Sequence, residues 1–226
     1  MLKKGERGDG MDKLAVLRQY FGFPAFRAGQ QTLIDAVLSG RDALGVMPTG
    51  GGKSLCYELP ALLLPGMTLV VSPLISLMKD QVMALRNAGI PAGCINSSMS
   101  LDELRETYSD ARYGAYKLLY VAPERLLTDG FCSLAQELEI PLVAVDEAHC
   151  ISQWGQDFRP SYLKIVEFLQ RLPHRPAVAA FTATATAQVR ADIIRILQLH
   201  EPETVVTGFD RPNLRFEVLR PKDKRT

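Results

Sequence analysis

Seven short apolar runs, rich in β-branched residues, recur along this chain and alternate with longer stretches of helical period. The runs cover 43–47, 67–72, 93–96, 117–122, 141–145, 177–182 and 204–207. Helices are predicted over 29–39, 53–63, 74–88, 101–112, 160–171 and 186–198. In the last of these Val189, Ile193, Ile194, Ile196 and Leu197 keep roughly to one face, with Arg190, Asp192 and Arg195 on the other. Strands that are apolar throughout, alternating with helices, imply an α/β fold: a mostly parallel sheet covered by helices on both faces. In such sheets ligands bind at the carboxyl ends of the strands, so the loops after strands are where chemistry is sought.

The loop after the first strand reads Pro48-Thr49-Gly50-Gly51-Gly52-Lys53-Ser54 and runs into a helix. Three successive glycines let the backbone curl until several N–H groups point at one anion, and the helix adds the positive end of its dipole. Lys53 would reach the β- and γ-phosphates of a nucleoside triphosphate such as ATP, and the Ser54 hydroxyl would ligate Mg²⁺. The pattern G-x-x-x-x-G-K-[ST] wants glycine where Met47 stands, so its strict form fails. The plain alternative is a glycine-rich turn beside a surface lysine.

The strand at 141–145 runs directly into Asp146-Glu147-Ala148-His149. An acid at the tip of an apolar strand can hold Mg²⁺, usually through water. Its neighbour Glu147 can polarise an attacking water. Two adjacent acids could also simply open a helix and favour its dipole. His149 is a poor ligand among oxygen donors, and it is expected at the γ-phosphate side or against a neighbouring motif, with a structural histidine as the alternative.

Composition narrows the choice further. The 226 residues carry 26 Lys plus Arg against 25 Asp plus Glu, a net charge of +1, which excludes blanket electrostatic wrapping of nucleic acid but not a local basic groove. Hydrophobic residues at 47% exclude a disordered chain. Cys56, Cys94, Cys132 and Cys150 form no C-x-x-C pair, which argues against zinc and against a disulfide scaffold. No apolar run approaches the ~20 residues of a membrane span, and the polar start lacks the apolar segment of a signal peptide. A soluble, cytoplasmic protein is expected, with a frayed terminus over 1–11.

Several segments together resemble one family, the RecQ-type helicases of helicase superfamily 2. Phe21-Gly22-Phe23 and Phe26-Arg27-Ala28-Gly29-Gln30 match the stretch that grips adenine, which assigns Phe23, Arg27 and Gln30 to the base; Ala28 replaces a proline common there. The stretches 72–81 and 120–126 resemble motifs that touch the DNA backbone, with Ser72, Lys79 and Arg125 as contacts. The stretch 181–186 resembles the motif in which Thr182 and Thr184 link nucleotide to DNA. The most discriminating stretch is 150–160, which holds the chain's one tryptophan. It resembles an aromatic-rich loop of RecQ proteins rather than of DEAH-type RNA remodellers, with Trp154, Phe158 and Arg159 meeting single-stranded DNA. The alternative for either ring is a core anchor.

The resemblance implies a RecA-like P-loop NTPase lobe over 12–208, with 209–226 leading toward a second RecA-like lobe. The implied parent activity is ATP- and Mg²⁺-dependent 3′-to-5′ unwinding of duplex DNA in repair and recombination, at the nucleoid. The second lobe would supply an arginine finger, so this chain alone is expected to hydrolyse ATP weakly and unwind nothing. The alternatives are a nucleotide- and single-stranded-DNA-binding module without turnover, or a DEAH-type RNA remodeller.

Overall fold

The computed structural model describes residues 12–208; the expectations for 1–11 and 209–226 lie outside them. All seven predicted strands form: β1 (Ala43–Val46), β2 (Thr68–Val71), β3 (Ala92–Ile95), β4 (Leu118–Val121), β5 (Leu142–Val145), β6 (Ala177–Thr182) and β7 (Glu203–Val206). They make one sheet in the order β3-β4-β2-β5-β6-β1-β7, and every pairing in it is parallel. The five inner strands are buried at every residue, as two-sided covering demands, whereas the edge strand β7 alternates between half-buried and exposed.

Successive side chains point to opposite faces and build two cores. One face carries Leu44, Val46, Leu69, Val71, Val143 and Val145. It packs under α6 (Asp129–Glu137), α7 (Lys164–Arg171) and α8 (Ala187–Ile196) through Phe131, Phe168 and Ile193, with α5 (Leu101–Arg112) at its margin. The other face carries Val70, Tyr120, Ala144 and Phe181 under α2 (Gln30–Leu38), α3 (Leu55–Leu63) and α4 (Ile75–Asn87). A third cluster seats α1 (Lys13–Phe21) on α2 and α3 through Val16, Leu17, Ile34 and Leu59.

Helices α1 and α6 were not anticipated from the sequence. The helix predicted over 160–171 splits into a 3-10 turn, Pro160–Leu163, followed by α7.

At the amino ends of the strands, buried Asp42 ties three segments together. It accepts two bonds from Arg175, at 2.6 and 3.1 Å, and the backbone N–H groups of Val178 and His200 at 2.8 and 2.7 Å. At the opposite rim, β5, β6 and β1 are neighbours and end side by side. The loops after them are therefore forced together.

Candidate active site

The curl after β1 closes through Gly51 N–H donating to Pro48 O at 2.8 Å. Gly50 and Gly52 take φ of +79° and +80°, backbone that L side chains rarely adopt, and a Cβ on Gly52 would lie 2.3 Å from Gln30 Nε2. Met47 is 1% exposed and packs in the core beside Tyr57 and Phe181, so the position where glycine was wanted serves packing. Lys53 Nζ donates to Met47 O at 3.2 Å, which holds the ammonium over the strand end.

The stretch 23–30 docks onto this loop. Gln30 donates from Nε2 to Gly52 O at 3.0 Å and accepts the Arg27 N–H on Oε1 at 2.8 Å. One amide hydrogen and one lone pair remain for a further partner. Arg27 donates to Gly50 O, and its guanidinium lies 5.8 Å from the centre of the half-exposed Phe23 ring.

Asp146 continues β5, its N–H donating to Val71 O at 2.9 Å while its own carbonyl accepts the Tyr162 hydroxyl at 2.8 Å. Burial and the adjacent Glu147 carboxylate push its carboxyl up to about 6, against the pull of the Glu147 N–H, Lys53 and His149. Glu147 sits at φ +47°, uncommon for a side-chain-bearing residue. Its carboxyl is lowered, first by the bond to His149 Nδ1 at 3.2 Å.

His149 Nδ1 also lies 2.8 Å from Thr182 Oγ1. The Thr182 O–H is directed to Thr184 O at 3.1 Å, so Nδ1 must carry the proton. The Cys150 sulfur 3.9 Å from Nε2 and the Glu147 carboxylate raise this histidine above its ordinary value. Glu147, His149, Thr182 and Thr184 thus form one hydrogen-bonded chain running from the acidic box to the tip of β6.

These parts line one cavity of about 420 Å³, walled by Phe23, Arg27, Gln30, Thr49, Gly50, Gly52, Lys53, Ser54, Asp146 and Glu147. It brings together an ammonium group, backbone N–H groups, an aromatic face and two side-chain oxygen donors, Ser54 and Asp146. The described residues contain no cluster of three or more His, Cys, Asp or Glu that could hold a metal unaided. A buried carboxylate short of positive charge, with one hydroxyl, fits a hard cation that takes its other ligands from phosphate and water.

Sequence reasoning missed Leu77 and Gln81, which line the same cavity from α4. Their i, i+4 spacing put them on one helix face, but nothing in the sequence aimed that face here.

The remaining candidates are scattered along the rim. Trp154 is 75% exposed, which removes the core-anchor alternative for that ring, and Phe158 is half-buried. Arg159 is committed within the chain, to Asp157 at 2.7 and 2.9 Å and to Pro73 O at 3.0 Å. Ser72 is buried, its hydroxyl without a partner among the described residues. Lys79 is exposed on α4, and Arg125 donates to Asn96 O at 3.2 Å.

The DEAD/DEAH box helicase family model matches residues 27–193, a span that contains the whole constellation except Phe23. The chain belongs to this family. Among curated relatives, the ATP-dependent DNA helicase RecQ of Bacillus subtilis (strain 168) is 50% identical over 211 residues, 93% of this chain and 36% of that protein. Its counterpart in Pasteurella multocida (strain Pm70) is 48% identical over 91% of this chain and 32% of that protein. The chain spans about a third of the length of these relatives.

Solved structures agree on the fold. The helicase MrfA matches with a TM-score of 0.69 at 17% identity, over 89% of this chain and 33% of that one. The Pyrococcus furiosus Hef helicase domain matches at 0.62 and 20% identity, over 84% and 39%. The family match, the parallel sheet and these likenesses make the fold that of a RecA-like helicase lobe.

Proposed function

We propose that residues 12–208 are the first motor lobe of a RecQ-type, ATP-dependent 3′-to-5′ DNA helicase. The observation that carries this is one cavity in which Lys53 and the glycine curl, the Asp146–Glu147 pair and the Phe23–Arg27–Gln30 grip all meet. The names of these relatives support ATP and DNA as the substrates.

In this reading the loop amides and Lys53 seat the phosphates, while Phe23, Arg27 and Gln30 hold the adenine. Asp146 and Ser54 hold Mg²⁺, which when bound shields charge on the transferring phosphoryl group. Glu147, ionised at neutral pH, accepts a proton from the attacking water. Because Glu147 shares His149 with Thr182 and Thr184, strand engagement at the rim can alter the placement of the base. Ser72, Lys79, Arg125, Trp154, Phe158 and Arg159 are the proposed DNA side.

A second lobe would bring the arginine that stabilises the transition state, worth ~10³–10⁵ in rate in comparable motors. The 226-residue chain should therefore bind nucleotide yet turn it over slowly. The test is nucleotide titration and ATPase assay of this chain and of Lys53→Ala, with and without oligo-dT or oligo-U. Mg²⁺-dependent binding lost in Lys53→Ala supports the reading. Fast, DNA-stimulated turnover by the 226 residues would refute the need for a second lobe. Greater stimulation by RNA would refute the DNA assignment.

A further inference from the structure

The aromatic loop is fastened to α8 by a bond that the nucleotide cavity does not use. Ser152, fully buried, donates its hydroxyl to Asp192 Oδ2 at 2.7 Å, and the same hydroxyl oxygen accepts the Trp154 N–H at 3.1 Å. Asp192 is 6% exposed, and its other oxygen accepts Arg195 Nη2 at 2.8 Å. Arg195 and Ser152 hold its carboxyl below the usual range, so the anchor is a carboxylate at neutral pH.

The loop backbone is folded tightly on itself. Gly155 N–H donates to Ser152 O at 2.9 Å, and Arg159 N–H closes the loop onto Cys150 O at 2.8 Å. A Cβ on Gly155 would stand 2.3 Å from His149 O and 3.0 Å from Ser152 O, so the turn admits no side chain there. Among the described residues, Ser152 is the loop side chain that bonds to α8.

Among the described residues, nothing comparable holds the indole itself, which is 75% exposed. Trp154 stands between two hollows of about 360 Å³ each, one against Thr184, Ala185 and Val189, the other against Phe158, Leu163 and Ile196. With room on both sides, what is fastened at Trp154 is its backbone, whose N–H ends on Ser152.

We propose that Asp192 is the positioning residue of the aromatic loop: acting through Ser152, its carboxylate fixes where Trp154 stands beside Thr184. The consequence for DNA rests on the reading of this loop as a single-strand contact.

Trp154 is the only tryptophan of the chain, so its fluorescence reports the loop directly. Time-resolved anisotropy without DNA tests the anchor first. Ser152→Ala and Asp192→Ala should each free the ring to the same degree, and the double variant should free it no further. Asp192→Asn, which keeps an oxygen for the Ser152 hydroxyl, should stay near the parent. Circular dichroism checks the fold, and should Asp192→Ala fail to fold, Ser152→Ala and Asp192→Asn carry the comparison.

Affinity for labelled oligo-dT should fall roughly 3–10-fold in the two alanine variants, and at least as far in Trp154→Ala, since stacking one base is worth ~1–3 kcal/mol. Affinity for Mg²⁺-nucleotide should not change. Unchanged anisotropy in Asp192→Ala, or effects that add in the double variant, would overturn the anchor. If anisotropy changes as expected but Trp154→Ala binds oligo-dT like the parent, or the parent binds none, the anchor stands and the DNA reading falls.

Discussion

Glu58 lies in the first turn of α3, four residues beyond the proposed Mg²⁺ ligand Ser54, and is only 7% exposed. Among the described residues, its carboxyl accepts one hydrogen bond, from the Tyr120 hydroxyl to Oε1 at 3.3 Å. Burial lifts its carboxyl from 4.5 to about 7; the Tyr120 bond opposes that rise and the nearby Asp146 adds to it. The folded protein therefore keeps this proton over a range in which the unfolded chain has lost it. The associated stability is complete below about pH 4.5, is lost as pH rises toward 7, and levels off above that. At ~1.4 kcal/mol per pH unit, the loss amounts to about 3 kcal/mol.

Glu58→Gln keeps an oxygen for Tyr120 and removes the charge. Urea unfolding of both proteins from pH 5 to 8.5 should show little difference at the acid end. By pH 8 the variant should lead by about 3 kcal/mol, a midpoint shift on the order of 1 M at usual urea sensitivities. A gap that stays constant with pH would mean that Glu58 titrates as an ordinary surface carboxyl, and the reasoning would fail.

Three other perturbations follow from the same structure. Asp42→Ala takes the carboxylate from a partly exposed Arg175 and leaves the backbone N–H groups of Val178 and His200 without their acceptor, at ~1–3 kcal/mol for a buried donor left unsatisfied; a melting temperature unchanged from the parent would contradict it. Asp146 must be ionised to hold a cation, so Mg²⁺-dependent nucleotide affinity should fall by up to ~tenfold per pH unit below about 6. Mg²⁺-free affinity serves as the baseline, and a Mg²⁺ increment independent of pH would refute the assignment. Gly52→Ala forces a side chain into left-handed backbone, at ~1–2 kcal/mol, and against Gln30; adenine over guanine preference, read by competition titration, should weaken, and intact preference would take Gln30 out of base recognition.

The strands were legible in the sequence because five of the seven are buried on both faces, which demands runs with no polar interruption. Helices α1 and α6 were not. The first joins a polar, charged start, and the second is nine residues that open Asp-Gly, so neither carries a long periodic signal. Of the site, Lys53, Asp146 and Glu147 could be read locally, since each needs only a strand before it. Phe23, Arg27 and Gln30 were legible by resemblance alone, because their docking onto Gly50 and Gly52 is a tertiary event. Asp192 looked like one more charge on the outer face of a helix. Only the packing of α8 against the loop at 150–159 turns it inward to Ser152.

β1 bears the glycine curl, yet both of its neighbours come late: Ala43 lies opposite Ala179 in β6 and opposite Glu203 in β7. As the polypeptide leaves the ribosome, β1 stays bare on both sides until β6 and β7 have emerged. Pairing over such sequence distances is intrinsically slow, and the waiting edges invite mispairing between nascent chains. A product released before residue 177 would carry the glycine curl intact in sequence and could not assemble it.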